Sequence, residues 1–458
     1  MPTSIKYIGT LDPYFEIGVT GKQGVWHRGQ SGDVPDGDAT LLIASGLFIR
    51  TEVPLTAAAV AAAQAGLSIG ALQGSRFAAV GGVLSLFGHQ INTAGAAASF
   101  VLQSPALAPF FGSRTIHANY GTSPQTITIA KSAVTPTAGN NGLALTWNSR
   151  TWAGATTVVQ PAGSGTGADV VPSITISDWL WVPGIARTDF PTRNQLILER
   201  AYYAASGSVQ RACFANAMGD LFAATGLEFA TNVAASADAV TTITSFAPAA
   251  TNTWMCPIGV EFAYGVPTAV VADVGDSLMR GQESTTASNG WLSVSQRACL
   301  LKTGAAIWQP MTFAVTGQTH AASYQTGLEV VSKLLPTFLC FRAWSPNDGA
   351  PTQALIDAAW GRTLSLIEHC RRNKVAPVVC TTPPRNSLSA GEDAFLKIQN
   401  ARVKSLAGYV LVSDEAAVVE DPSDRAKLLP AFNSGDGLHI VSAGYAAMAA
   451  VRSSVLTA

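Results

Sequence analysis

Residues 268–281 read TAVVADVGDSLMRG, and the fold is decided there. Thr268 to Val274 is an apolar run interrupted only by Asp273. It is too short for a stable helix and shows no polar alternation, the pattern of a strand buried on both faces of a sheet. Gly275 then permits a tight turn that lifts the Ser277 hydroxyl into a cleft at the sheet's edge. Alone, Gly-Asp-Ser has the composition of an ordinary turn, so its meaning depends on the rest of the chain.

Further along, the same grammar recurs. The run TFAV leads into TGQ, TFLCFRAW leads into SPND, and VAPVVCTTPP ends in prolines. Between these runs lie helix-like stretches, PTQALIDAAWGRTLSLIEHCRRNK and EDAFLKIQNARVKSLAG. Apolar strands alternating with amphipathic helices predict a three-layer α/β domain over residues 267–458, its parallel sheet covered on both faces. In such sheets the chemistry gathers at the carboxyl ends of strands, where every polar motif just quoted falls.

A serine hydroxyl attacks well only when an imidazole takes its proton, and the imidazole works best with a carboxylate fixing its tautomer. Asp436-Gly437-Leu438-His439 supplies both groups within one turn, with Ser442 as the expected N-cap of the helix-like AGYAAMAAVRSSVL. His320 is the competing base. It has no carboxylate near it in sequence, so Ser277, His439 and Asp436 form the favoured triad.

These pieces resemble the GDSL, or SGNH, hydrolase family, in the family's order, over roughly the last 190 residues. The first block corresponds to GDSLMRG, the second to Gly317 in AVTGQT, the third to SPND with Asn347 and Asp348, and the last to DGLH. The resemblance implies a flavodoxin-like fold and a serine ester hydrolase. It implies an oxyanion hole made of the backbone N–H groups of Ser277 and Gly317 and the side-chain amide of Asn347. Gly275, Asp276 and Asp348 are read as supporting residues, the two aspartates bracing their loops through backbone amides. Two departures stand out: Ser345 replaces the usual glycine of the third block, and Gln318-Thr319 follow Gly317 without the usual Asn or Gly neighbours. No metal or organic cofactor is implied.

Ahead of this domain the texture differs. Residues 1–53 read as a small β-rich module, 54–103 as an Ala/Gly-rich connector that begins helical, and 104–266 as an antiparallel β-sandwich or jelly roll of short Thr/Val/Ile runs. Only 12% of the 458 residues are charged and the formal net charge is -1, so no basic field exists to hold nucleic acid. The six cysteines are scattered without metal or redox spacing and are expected to be free, buried thiols. The charge-free stretch from Phe77 to Ser113 is broken by His89, Gln90, Asn92 and Gln103, so packed structure is expected rather than membrane insertion. The N-terminal sequence lacks the apolar run of a secretory signal, which predicts production in the cytoplasm.

A β-sandwich before such a hydrolase resembles the layout of carbohydrate esterases, and the N-terminal module resembles phage and prophage structural proteins. Together they give the expected function: removal of acyl groups, O-acetyl above all, from a bacterial surface polysaccharide by a virion-associated enzyme. Expected partners are the acylated polysaccharide and a second copy or other virion proteins. A small-ester lipase or arylesterase is the enzymatic rival, and a non-enzymatic virion structural or receptor-binding protein the other. Of the tryptophans, Trp147, Trp152, Trp179 and Trp181 are assigned mainly to core packing. Trp291, Trp308 and Trp344 lie nearer the motifs, and Trp344, directly before SPND, is the candidate to line the cleft.

Overall fold

The computed structural model describes backbone and side chains over residues 112–127, 148–180, 260–262, 268–282, 293–303 and 307–456, together with the backbones of further strands between residues 3 and 264. From Thr268 onward the described chain forms a parallel sheet of five strands: Thr268–Asp273, Ile307–Thr312, Phe338–Arg342, Ala376–Cys380 and Leu411–Ser413. Numbered along the chain, their order across the sheet is second, first, third, fourth, fifth. This is a doubly wound order, in which the chain leaves the first strand toward one edge and then returns across it. The reversal opens a crevice at the carboxyl end of the first strand, and Ser277 follows that strand directly.

Alternation along each strand builds the two covered faces. Val270, Ala272, Leu339, Phe341 and Val379 join one apolar cluster with Val330, Val331, Leu366 and Ile367 of the helices His320–Leu334 and Gln353–Arg372. Their neighbours Ala269, Val271, Phe338, Cys340 and Val378 join a second cluster with Val294, Ala298, Tyr445 and Met448 of the helices Val294–Leu300 and Ser442–Val455. Each valine, leucine, isoleucine, phenylalanine or methionine side chain among them taken wholly out of water contributes about 1.5–3 kcal/mol. All six residues of the first strand are buried, as the unbroken apolar run predicts.

Asp273, the one interruption in that run, is held by an ion network of buried groups. Arg452, on the last helix, donates to Asp273 Oδ1 at 2.8 Å and to Glu415 Oε1 at 2.8 Å, and Arg342 donates to Glu415 Oε2 at 2.8 Å. Burial alone would raise the Glu415 carboxyl, but the two guanidiniums hold it below the usual carboxylate range. The network pins the helix that follows His439 to the first strand that precedes Ser277, so the two halves of the candidate site are referenced to one another.

The helix expected to begin at Ser442 has Val441 at its N-cap with no side-chain cap bond, and Ser442 is its first helical residue. The strand expected at TFAV lies earlier, at Ile307–Thr312. Phe313 and Val315 nevertheless continue the pairing, donating to the carbonyls of Asp273 at 2.7 Å and Gly275 at 2.9 Å. Pro310 is tolerated because this strand is an edge of the sheet. The four described cysteines, Cys299, Cys340, Cys370 and Cys380, are free and buried.

Upstream, every strand pairing among the described residues is antiparallel. One sheet places Phe110–Asn119 against Pro257–Tyr264, Ser173–Ile176 and Leu180–Trp181, and Pro257–Tyr264 against Ala78–Val80. Another runs from Gln125–Thr135 through Leu196–Ala204 to Ala98–Pro105 and Thr231–Ala234. Ala78–Val80 joins the first of these sheets and Ala98–Pro105 the second, while Ile91–Ala94 pairs with Val209–Cys213 in a third. At the start of the chain, Thr3–Tyr7 pairs with Ser31–Val34 and Phe48–Arg50, and Tyr14–Glu16 pairs with Gly24–Trp26. The alanine-rich helix expected after Pro54 lies outside the described residues, as do Trp147 and Trp291. No helix among the described residues is long and apolar enough to cross a membrane.

Candidate active site

The turn after the first strand is built around Gly275, whose φ is +151° and where a Cβ would lie 2.4 Å from Met279 Cγ. Asp276 caps the single helical turn Ser277–Arg280, its Oδ1 accepting from the Leu278 N–H at 3.0 Å. Ser277 thus sits at the first position of a helical turn, in the crevice at the strand's end. The residue is 3% exposed, more enclosed than the lifted serine expected from the sequence.

Ser277 Oγ lies 3.0 Å from His439 Nε2, and His439 Nδ1 lies 2.6 Å from Asp436 Oδ2. A carboxylate can only accept, so Nδ1 carries the proton and Nε2 is left to take the one on Ser277. Asp436 Oδ1 accepts from the N–H groups of Leu438 at 2.9 Å and His439 at 2.8 Å. Burial works to raise this carboxyl, but the bond to the His439 ring and those two N–H groups outweigh it and bring its pKa down to about 2. Asp436 is therefore an anion across the neutral range, available to support charge on the imidazole. Asn433 shapes the turn, its Oδ1 accepting from the Gly435 and Gly437 N–H groups at 2.9 and 3.0 Å.

His320, the competing base, is removed from this chemistry. It is 4% exposed, its Nδ1 accepts from Arg362 at 3.2 Å, and its Nε2 meets Thr363 Oγ1 at 3.3 Å. Burial, then the Arg362 charge, drives its pKa down to about 3, so it is a neutral structural histidine.

The loop carrying Gly317 and the turn Pro346–Asp348 close around the nucleophile's turn. Gly317 has φ +82°, the left-handed conformation that glycine adopts without strain. Ser345 joins the three motifs: its Oγ donates to Asp276 Oδ2 at 2.6 Å, lies 2.9 Å from the Gln318 carbonyl, and accepts from the Asn347 N–H at 3.2 Å. The sequence marked Ser345 only as a departure from a glycine, yet a buried hydroxyl three residues before Asp348 is also a capping-box signal, and the Ser345–Asp348 box is present. Asn347 Nδ2 points at the Gln318 carbonyl and at Ser345 Oγ, both at 3.2 Å. Asp348 accepts from the N–H groups of His320 at 3.1 Å and Ser345 at 3.2 Å. Burial is the dominant influence on Asp348 and raises its pKa to about 6.

Trp344 is 3% exposed and packs with Ile356, Ala359 and Leu396. It also lines a shallow pocket with Leu278, Pro346, Arg385 and Leu438. Leu278, Pro346 and Leu438 are sequence neighbours of Ser277, Asn347 and His439, so this apolar depression adjoins the nucleophile. Trp308 instead stacks on Phe338 at 5.9 Å between ring centroids, a packing role.

A scan against protein-family models finds no match, and neither does a search of curated proteins. Solved structures do match. A member of the lipolytic protein G-D-S-L family from Veillonella parvula is 14% identical, with 41% of this chain covering 98% of that one at a TM-score of 0.34. A GDSL-like lipase from Bacteroides thetaiotaomicron is 18% identical, with coverage of 40% and 86% and a TM-score of 0.32. A protein from Bacillus subtilis is 12% identical, with coverage of 77% and 79% and a TM-score of 0.34.

Proposed function

We propose that this chain is an SGNH-type serine ester hydrolase that removes short acyl groups, chiefly O-acetyl, from a bacterial surface polysaccharide, and that it acts as part of a phage particle. The observation that carries the hydrolase reading is the unbroken relay from Asp436 through His439 to Ser277 Oγ. His439 Nε2 takes the Ser277 proton as Oγ attacks the ester carbonyl carbon. The resulting oxyanion is met by the N–H groups of Ser277 and Gly317 and by the Asn347 amide, whose present bonds are long enough to be exchanged for a stronger one to a full negative charge. The imidazolium returns the proton to the departing alcohol, leaving an acyl group on Ser277. Water, activated by the same imidazole, then releases the acid.

The shallow apolar pocket beside Ser277 supports a short acyl group: it offers Leu278, Pro346 and Leu438 to a methyl rather than a channel to a long chain. The antiparallel pairings upstream of the site are compatible with the sandwich expected over residues 104–266, and such a second surface would suit a polymeric substrate. The phage assignment rests on the pattern of residues 1–53 and on the low charge of the chain. The test is acetate release from a panel of O-acetylated bacterial glycans, run beside 4-nitrophenyl esters of increasing chain length, with Ser277→Ala as the control. Acetate release that the Ser277→Ala protein lacks supports the proposal. A preference for long-chain esters with glycans untouched would turn the reading toward a lipase.

A further inference from the structure

The loop that carries Gly317 is gripped from two sides. Ser345 and Asn347 hold one side, from within the parallel-sheet domain. The other is held by residues 168–170, which lie about a hundred positions before the first parallel strand, between the antiparallel strands Val158–Gln160 and Ser173–Ile176.

Three contacts make this grip. Asp169 Oδ1 accepts from the Thr319 N–H at 2.8 Å and from Thr319 Oγ1 at 2.8 Å. Gln318 is fully buried and donates through Nε2 to the Val170 carbonyl at 2.9 Å. A Cβ on Gly317 would lie 3.0 Å from Ala168 Cβ. The segment is itself braced: Ser164 and Val171 exchange backbone bonds of 3.0 and 2.8 Å, and the Ile174 N–H donates to Glu329 on the helix that Thr319 caps.

We infer that Asp169 is a positioning residue for ester hydrolysis, and that residues 168–170 of the antiparallel region fix the oxyanion loop Gly317–Thr319 in its working geometry. The inference rests on the hydrolase reading above. An oxyanion donor is effective only when it is already aimed where charge will develop, and a misplacement near 1 Å costs on the order of 100-fold in rate. Asp169 acts through Thr319 on the peptide groups beside it. Its loss lets the loop drift while leaving the nucleophile, base and acyl pocket in place.

The test compares full-length Asp169→Ala and Asp169→Asn with the wild type. An asparagine carbonyl accepts the same two hydrogen bonds, so it separates geometry from charge. With 4-nitrophenyl acetate, Asp169→Ala is expected to lower kcat by about 10- to 100-fold with KM changed less than about two-fold, and Asp169→Asn to recover most of that loss. Hydrogen exchange at the Gln318 and Thr319 amides reads the anchoring itself and is expected to be faster in Asp169→Ala alone. Wild-type kcat in Asp169→Ala, a change confined to KM, or unaltered exchange in that variant would each overturn the inference. A wild-type protein without esterase activity would overturn the hydrolase reading instead, and the exchange data would still decide whether Asp169 holds the loop.

Discussion

Ser345 Oγ lies 2.6 Å from Asp276 Oδ2, and through that bond the third motif is tied to the turn that presents the nucleophile. Asp276 uses its other oxygen to cap the helical turn of Ser277, so one carboxylate joins two segments 69 positions apart in the chain. The same hydroxyl contacts the Gln318 carbonyl. A glycine at position 345 would provide none of these bonds.

Ser345→Ala and Ser345→Gly should therefore both weaken catalysis. Each removes the donor to the buried Asp276 carboxylate and the acceptor for the Asn347 N–H, which costs about 1–3 kcal/mol of stability. Loosening Asp276 and Gln318 together should lower kcat by roughly 10-fold or more. Urea unfolding and steady-state kinetics on the two variants check this. Wild-type values for Ser345→Gly would mean that the hydroxyl is incidental.

Asn347→Ala should lower kcat far more than it raises KM, by about 100- to 1000-fold, because the amide's bond strengthens as the oxyanion forms. Here the amide rests against Gln318 and Ser345, so its removal also leaves the Gln318 carbonyl with fewer donors. Asn347→Asp separates the effects: it keeps the size and loses the donor. An alanine variant altered only in KM would make Asn347 a substrate-binding residue.

Asp348 should give the fold a distinctive pH dependence. Its pKa in the folded protein is raised to about 6, above the 3.8 of an ordinary aspartate, chiefly by burial. Between those values the folded state binds the proton more tightly than the unfolded state. This contribution to stability is complete below about pH 4 and is lost as pH rises through about 6. Asp348→Asn should remove that slope, so its melting temperature should fall less than that of the wild type between pH 4 and 7. Parallel slopes in calorimetric scans would show that Asp348 ionises freely.

Much of this was legible in the sequence because the parallel sheet is buried on both faces. TAVVADV and TFLCFRAW could be read as strands since no solvent-facing residue interrupts them, and the motifs at their ends marked the crevice. The strand Ile307–Thr312 was harder to place: its Gln309 and Pro310 belong to an edge, where polar residues and a missing N–H are tolerated. Leu411–Ser413 is three residues long and carries too little pattern to register. The role of residues 168–170 was invisible, because GSGTGADVV has the composition of any surface loop and its value lies in a contact about 150 positions away. Ser345 could be seen as unusual, but only its three partners show what it does.

The last prediction concerns where the chain can be shortened. A break between residues 54 and 75 precedes every strand of the two antiparallel sheets, the earliest being Ala78–Val80 against Pro257–Tyr264. The fragment that begins there should remain folded and hydrolyse a small ester at nearly the full rate, having lost only the N-terminal module and whatever attachment it provides. Cutting at about residue 110 is different. It removes Ala98–Pro105 from between Leu196–Ala204 and Thr231–Ala234, leaving unpaired strand edges that invite aggregation. Starting at residue 267 keeps Ser277, His439 and Asp436 but discards Asp169 and Val170, so the oxyanion loop loses one of its two supports. Three fragments beginning near residues 75, 110 and 267 should accordingly rank as active and monodisperse, aggregating, and weakly active. Light scattering beside an acetyl ester assay reads all three. Full activity in the shortest fragment would show that the parallel-sheet domain holds its own oxyanion loop, and the antiparallel region would then have no part in the chemistry.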